Sequence, residues 1–209
     1  MGDMAEWFAV IGEAKRLFGK GDLEGAVQAY DRAVTIRSDD VNTLHNRGTI
    51  LAMLGRYEEA LRDYQRSLEL QPDCPDTLYN RGIALHKLER YEEALREYNR
   101  ALAVRPDDAD TLRNQGAALH KLGQYHEALR SYDRALELQP DDADTLYNRG
   151  ATLTMLERYE EASRDHEHSL ELRQSMQSTD HSPCCGRDDC SNMVGRFTWQ
   201  CQLSQEMKT

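Results

Sequence analysis

The string DTLYNRG, from Asp76 to Gly82, returns as DTLRNQG from Asp110 to Gly116 and as DTLYNRG from Asp144 to Gly150, each time 34 residues on. A looser copy, TLHNRG from Thr43 to Gly48, lies one period earlier. A second string keeps step with the first: RYEEAL from Arg56 and from Arg90, QYHEAL from Gln124 and RYEEAS from Arg158. Two strings in register over four copies constrain the fold more than any composition does. Such a chain builds its core by stacking like units, each burying one face against the next.

The unit reads as two helices. Its small residues let helices approach closely, its Tyr and Leu positions fill the space between them, and the proline that ends it cannot continue a helix interior. Gly55 and Gly123 suit the tight turn inside the unit, but Glu89 and Glu157 stand at the same place, so the turn is not expected to depend on a positive φ alone. Charged residues make up 30% of the chain and mean hydropathy is -0.79. Such a polar chain suffices for amphipathic helices that each add one stripe to a continuous seam.

The pattern resembles the tetratricopeptide repeat family, whose 34-residue helix-turn-helix unit sets Gly, Tyr, Ala, an aromatic, Ala and Pro at fixed offsets. Residues 41–74 match it at Leu44, Gly48, Leu51, Tyr57, Ala60, Tyr64, Ser67 and Pro72. Residues 75–108 match at Leu78, Gly82, Leu85, Tyr91, Ala94, Tyr98, Ala101 and Pro106, and residues 109–142 at Leu112, Gly116, Leu119, Tyr125, Ala128, Tyr132, Ala135 and Pro140. Residues 7–40 form a degenerate first copy, with Ala14 for the glycine and Ser38 for the proline. The resemblance implies an all-α fold: a right-handed superhelical solenoid of five antiparallel helix-turn-helix repeats, at 7–40, 41–74, 75–108, 109–142 and 143–176, after a short lead-in over 1–6. In the last repeat Ser163, His166 and Ser169 replace the Leu95, Tyr98 and Ala101 of the third. They are expected to form a polar end on which nothing helical packs.

From residue 177 the period is lost, and Ser, Gln, Asp, Gly and Cys prevail. This reads as a largely irregular, disordered, Cys-containing tail over 177–209. His181, Cys184, Cys185, Cys190 and Cys201 match no paired Cys-x2-Cys spacing, so neither a metal nor any other cofactor is expected. No phosphate loop, nucleophile elbow or paired-carboxylate motif stands outside the repeats, so no catalytic residue and no enzyme is expected.

Family geometry places candidate binding residues on the concave face of each first helix. Asn46, Asn80, Asn114 and Asn148 recur at one position and form a ladder whose amides are expected to hold an extended peptide backbone. Such ladders serve peptide-binding members of the family, including the repeat domain of O-linked N-acetylglucosamine transferases, which these residues resemble locally. The alternative is that the amides bond within or between repeats. Beside them the same geometry sets Tyr79, Arg113, Tyr147, His86, His120, Lys87 and Lys121, and at the N-terminal end Phe8, Ile11 and Phe18. That apolar group fits either a partner pocket or a local packing cluster. The lysines and arginine of the family's carboxylate clamp are absent: Asn fills position 6 of four repeats, and position 9 is Thr49, Ile83, Ala117 and Ala151.

A net charge of -11 disfavours nucleic acid and anionic membrane surfaces. No stretch reaches membrane-spanning length, and Asp3, Glu6 and Glu13 interrupt any signal-peptide core. The expected function is that of a cytoplasmic scaffold binding a protein or an extended peptide in the groove. A self-associating homo-oligomer, and a non-catalytic part of a longer modular protein, for example one associated with a glycosyltransferase, stay open beside it.

Overall fold

A computed structural model describes residues 2–179. The readings made for residues 180–209, zinc among them, lie outside it. Among the described residues there are ten helices and no strand: α1 (Gly2–Gly19), α2 (Leu23–Ile36), α3 (Val41–Met53), α4 (Tyr57–Leu70), α5 (Pro75–Lys87), α6 (Tyr91–Val104), α7 (Ala109–Lys121), α8 (Tyr125–Leu138), α9 (Ala143–Met155) and α10 (Tyr159–Thr179). None of them is long and apolar enough to cross a membrane.

The chain divides into two compact units, one up to Leu88 and one starting at Glu89. In the first, α1 packs on α2 and α3 on α4, while α3 also rests on α2 and α5 on both α3 and α4. In the second, α7 packs on α6 and α8, α9 on α7 and α8, and α10 on α9.

Recurring local chemistry sets these helices. Asp22, Asp40, Asp108 and Asp142 each precede a helix and accept a backbone N–H from its first turn, at 2.9, 2.8, 3.2 and 3.1 Å respectively. These caps satisfy donors that a helix start leaves orphaned. Gly21, Gly55 and Gly123 take φ of 78°, 75° and 74°, and Glu89 and Glu157 take 59° at the same point of their repeats. The turn is therefore left-handed in all five copies, with glutamate as well as glycine adopting it, where the sequence reading is that it does not depend on a positive φ alone. The peptide after it closes the preceding helix: Arg56 N–H donates to Leu51 C=O at 2.9 Å and Arg158 N–H to Leu153 C=O at 3.0 Å. A side chain at such a φ costs about 1 kcal/mol. Glu157→Gly is therefore expected to stabilise the protein by up to about 1 kcal/mol, read as a raised urea midpoint. An unchanged or lower midpoint would refute it.

The hairpins α3–α4, α7–α8 and α9–α10 each close on the contact between a glycine and a ring. A Cβ on Gly48 would lie 2.9 Å from a ring carbon of Tyr64, and one on Gly116 2.7 Å from a ring carbon of Tyr132. Both tyrosines are buried. In the last hairpin His166 takes the tyrosine's place, with its ring 2.6 Å from the Cβ that Gly150 lacks. Ser169 is buried and donates to the Ala143 carbonyl at 2.7 Å, as Ser67 does to Val41 at 3.3 Å. These two residues thus face their own repeat, and of the three read as a polar end only Ser163 is exposed.

Candidate functional site

The asparagines of the ladder are not equivalent. In the first unit Asn46 and Asn80 are buried. Asn80 Nδ2 donates to Thr49 Oγ1 at 3.1 Å and lies 3.4 Å from His45 Nε2. His45 Nδ1 meets Thr77 Oγ1 at 2.8 Å, and that hydroxyl donates to Cys74 Sγ at 3.2 Å. Thr77 can then only accept from the ring, so Nδ1 carries the proton and Nε2 accepts from Asn80. Thr49 donates to the His45 carbonyl at 2.9 Å and accepts from Tyr64 at 3.3 Å. The Asn80 amide is thus part of a closed network joining α3 to α5. Burial pushes the Tyr30 phenol up to about 12, and the Asn46 Oδ1 is buried with no hydrogen-bond partner.

Other first-unit candidates divide by exposure. Tyr79 is buried; Ile11, Phe18 and His86 are half-buried; Lys87 and Phe8 are exposed. Phe8 lies edge-on to the buried Trp7 with ring centres 4.9 Å apart, and the Arg37 guanidinium sits 5.4 Å from the Trp7 ring centre. This is local packing on one side of Phe8 and open surface on the other. Position had signalled none of the His45, Thr49 and Thr77 network; the available signal was polar residues at the spacing of apolar ones.

In the second unit the same helix faces stay accessible. Asn114 and Asn148 are half-buried, and between and beside them Ala117 and Ala151 make a floor of small side chains. Asn114 Nδ2 donates to the Asp110 carbonyl one turn back at 3.0 Å. Arg113 is clamped, with Nη2 2.9 Å from Asp110 and Nη1 2.7 Å from Asp142. Burial alone would raise the Asp142 carboxyl, but the Thr145 hydroxyl and Arg113 outweigh it and hold it below its usual range. Arg173 pairs with Asp144 at 2.9 Å and lies 5.5 Å from the ring centre of Tyr147, which stays exposed. Lys121 is exposed as well. With both arginines matched to aspartates, this face is close to electrically neutral.

His120 sits 2.9 Å through Nδ1 from Thr152 Oγ1, and its ring lies edge-on to Tyr125. Thr152 donates to the Asn148 carbonyl, so the ring nitrogen is the donor here. Burial, helped by Lys121, lowers the imidazole pKa. The folded chain therefore binds this proton less readily than the unfolded chain. That contribution is intact above about 6.5, the ordinary imidazole value, and is lost as pH falls from there through the lowered folded value. His120→Gln is expected to flatten the fall in thermal midpoint between about pH 7 and pH 5.5. Equal slopes in the two proteins would contradict this.

Repeated helical hairpins closed by a glycine and an aromatic ring define a helical repeat protein. Residues 39–107 and 107–175 match the tetratricopeptide repeat family, and residues 14–55 match it as a TPR repeat. The chain belongs to the tetratricopeptide repeat family, a family of protein-interaction scaffolds. Among solved structures it is similar to MamA 41-end from Desulfovibrio magneticus RS-1, with 22% identity, a TM-score of 0.77, and coverage of 81% of this chain and 96% of that one. A second MamA structure gives 19%, 0.75, 90% and 100%. YrrB, described as a TPR protein with an unusual peptide-binding site, gives 26%, 0.69, 80% and 87%. The likeness to MamA is one of fold. No curated protein sequence matches the chain.

Proposed function

We propose that the chain is a non-catalytic, cytoplasmic scaffold that holds an extended segment of a partner protein on the first-helix faces of its repeats. The observation that carries this is the second-unit face: half-buried Asn114 and Asn148 side chains beside a floor of Ala117 and Ala151, with exposed Tyr147 and Lys121 at its margin. Small floor residues leave room for a backbone, and an amide can both donate to and accept from that backbone whatever its side chains. Asn80 is not assigned to the ligand, because its amide serves the α3–α5 network. Phe8, Ile11, His86 and Lys87 are the first-unit residues left for contact. The description of YrrB as peptide-binding supports the reading by similarity.

Magnitude says what else a partner must bring. Two amide contacts contribute about 1 to 3 kcal/mol, whereas micromolar affinity needs about 8. Side-chain contacts, at Tyr147 first, have to supply the difference. Peptides selected from a displayed random library against the full chain are expected to lose about tenfold or more in affinity with Asn114→Ala plus Asn148→Ala, and to be excluded by Ala117→Leu plus Ala151→Leu. Selected peptides indifferent to both pairs, in variants with unchanged circular dichroism, would sink the assignment.

A further inference from the structure

The outer edge of the last hairpin repeats a surface that the chain covers wherever another helix follows. Helices α3, α5, α7 and α9 each lay a stripe on the hairpin or helix before them. Its ends are Thr43 and Ile50, Thr77 and Ala84, Thr111 and Ala118, and Thr145 and Thr152, all buried. On the receiving side, Leu61 and Leu68 are buried on α4, on which α5 packs, and Leu129 and Leu136 on α8, on which α9 packs. The corresponding residues of α10 are Ser163 and Leu170. Leu170 is 57% exposed, against 5% for Leu68 and 8% for Leu136. Met155 and Tyr159 are exposed on the same hairpin.

The edge therefore lacks the apolar cover that a further first-type helix supplies at the internal junctions.

We propose that the outer edge of α9 and α10 is a docking site for an α-helix of a partner protein that carries this chain's own stripe, a Thr followed seven positions on by an uncharged residue such as Ala, Thr or Ile. A second copy does not provide that helix among the described residues. The stripes of α3, α5, α7 and α9 are already buried, and α1, whose corresponding residues Ala9 and Arg16 are exposed, puts a guanidinium where the others have Ile50, Ala84, Ala118 or Thr152. Burying that charge without a partner is prohibitive. The site is separate from the peptide-holding face, since Ser163, His166 and Leu170 lie on the second helix of the hairpin.

The test is fluorescence anisotropy of the full chain with a labelled synthetic peptide of the α7 sequence, ADTLRNQGAALHK. Saturable binding is expected, weakened about tenfold or more by Leu170→Glu, the loss of one buried leucine. Ser163→Leu, which restores the residue of Leu61 and Leu129, is expected to tighten it several-fold, and a peptide with Ala118→Arg is expected not to bind. All three substitutions leave the chain's buried residues untouched. No saturable binding to either the wild type or Ser163→Leu overturns the proposal. So does binding indifferent to Leu170→Glu. Self-association abolished by Leu170→Glu would make a second copy the occupant, and cross-links from residues 180–209 to this edge would make it a segment of the same chain; either result overturns the proposal too.

Discussion

Arg149→Met is expected to cost about 3 to 5 kcal/mol, the largest loss from any single surface-reaching charge in the second unit, because it strands a buried carboxylate. Arg149 holds Asp165 through two parallel bonds of 2.7 Å, Nε to Oδ2 and Nη2 to Oδ1, and reaches Asp133 with Nη1 at 2.8 Å. Asp165 is 7% exposed, so water cannot replace the guanidinium. The hydrogen bond to Asp165 is also the chief reason the Arg149 pKa is pushed up. The chain contains its own neutral version of this triad. In the preceding repeat Gln115 donates to Asn99 at 2.6 Å and Ser131 donates to Gln115 at 2.7 Å, at the three corresponding positions. Arg149→Gln with Asp165→Ser and Asp133→Asn is therefore expected to recover most of what Arg149→Met loses, since removing a buried pair whole is far milder than halving it. Urea unfolding checks both, and a triple variant no more stable than Arg149→Met would show that the charges themselves hold the hairpin.

Tyr132→Ala is expected to cost a similar amount, about 3 to 5 kcal/mol, and Tyr132→Phe only about 1. The ring is buried against Gly116, with Leu119 and Ala128 in the same cluster and Leu95 against it. Truncation leaves a cavity facing a residue that has no side chain to fill it, so the site cannot collapse. Burial pushes the phenol pKa well up, so the hydroxyl stays neutral and Phe removes only that one polar group. In a stack of repeats such a loss is felt first in the hairpin that carries it. Hydrogen exchange is expected to show α7 and α8 opening before α3 and α4 in Tyr132→Ala, and uniform opening would contradict the assignment of this ring to local closure.

Much of the fold was legible because every repeat states it again. Period, glycine and tyrosine offsets and terminal prolines fix helices and hairpins before any contact is known. Less was legible where one residue type serves two environments. Asn80 and Asn114 share a position, yet Asn80 is drawn inward because Thr49 and His45 offer it partners, while Asn114 turns to the Asp110 carbonyl of its own helix. Arg113 was placed in the groove without its clamp, because Asp142 is 29 residues away in sequence and belongs to the cap of α9. His166 and Ser169 looked like an outer polar end because their counterparts' orientation, toward Gly150 and the Ala143 carbonyl, is a matter of packing. Glu89 and Glu157 concealed the left-handed turn because a glutamate there tolerates a strained backbone that neighbouring hydrogen bonds impose.

The network of His45, Thr49, Thr77 and Asn80 bears on how such a chain changes over generations. Repeat arrays lengthen and shorten by duplicating or deleting whole units, and a joint survives that only if its two faces suit any unit. Here α3 and α5 are keyed to each other: inserting a copy of residues 109–142 between them would set Arg113 and Ala117 against Thr77 and Asn80 in place of His45 and Thr49, and leave the Thr77 hydroxyl and the Asn80 amide without those partners. Recombination at this joint is therefore selected against, and variation in repeat number is expected to begin elsewhere.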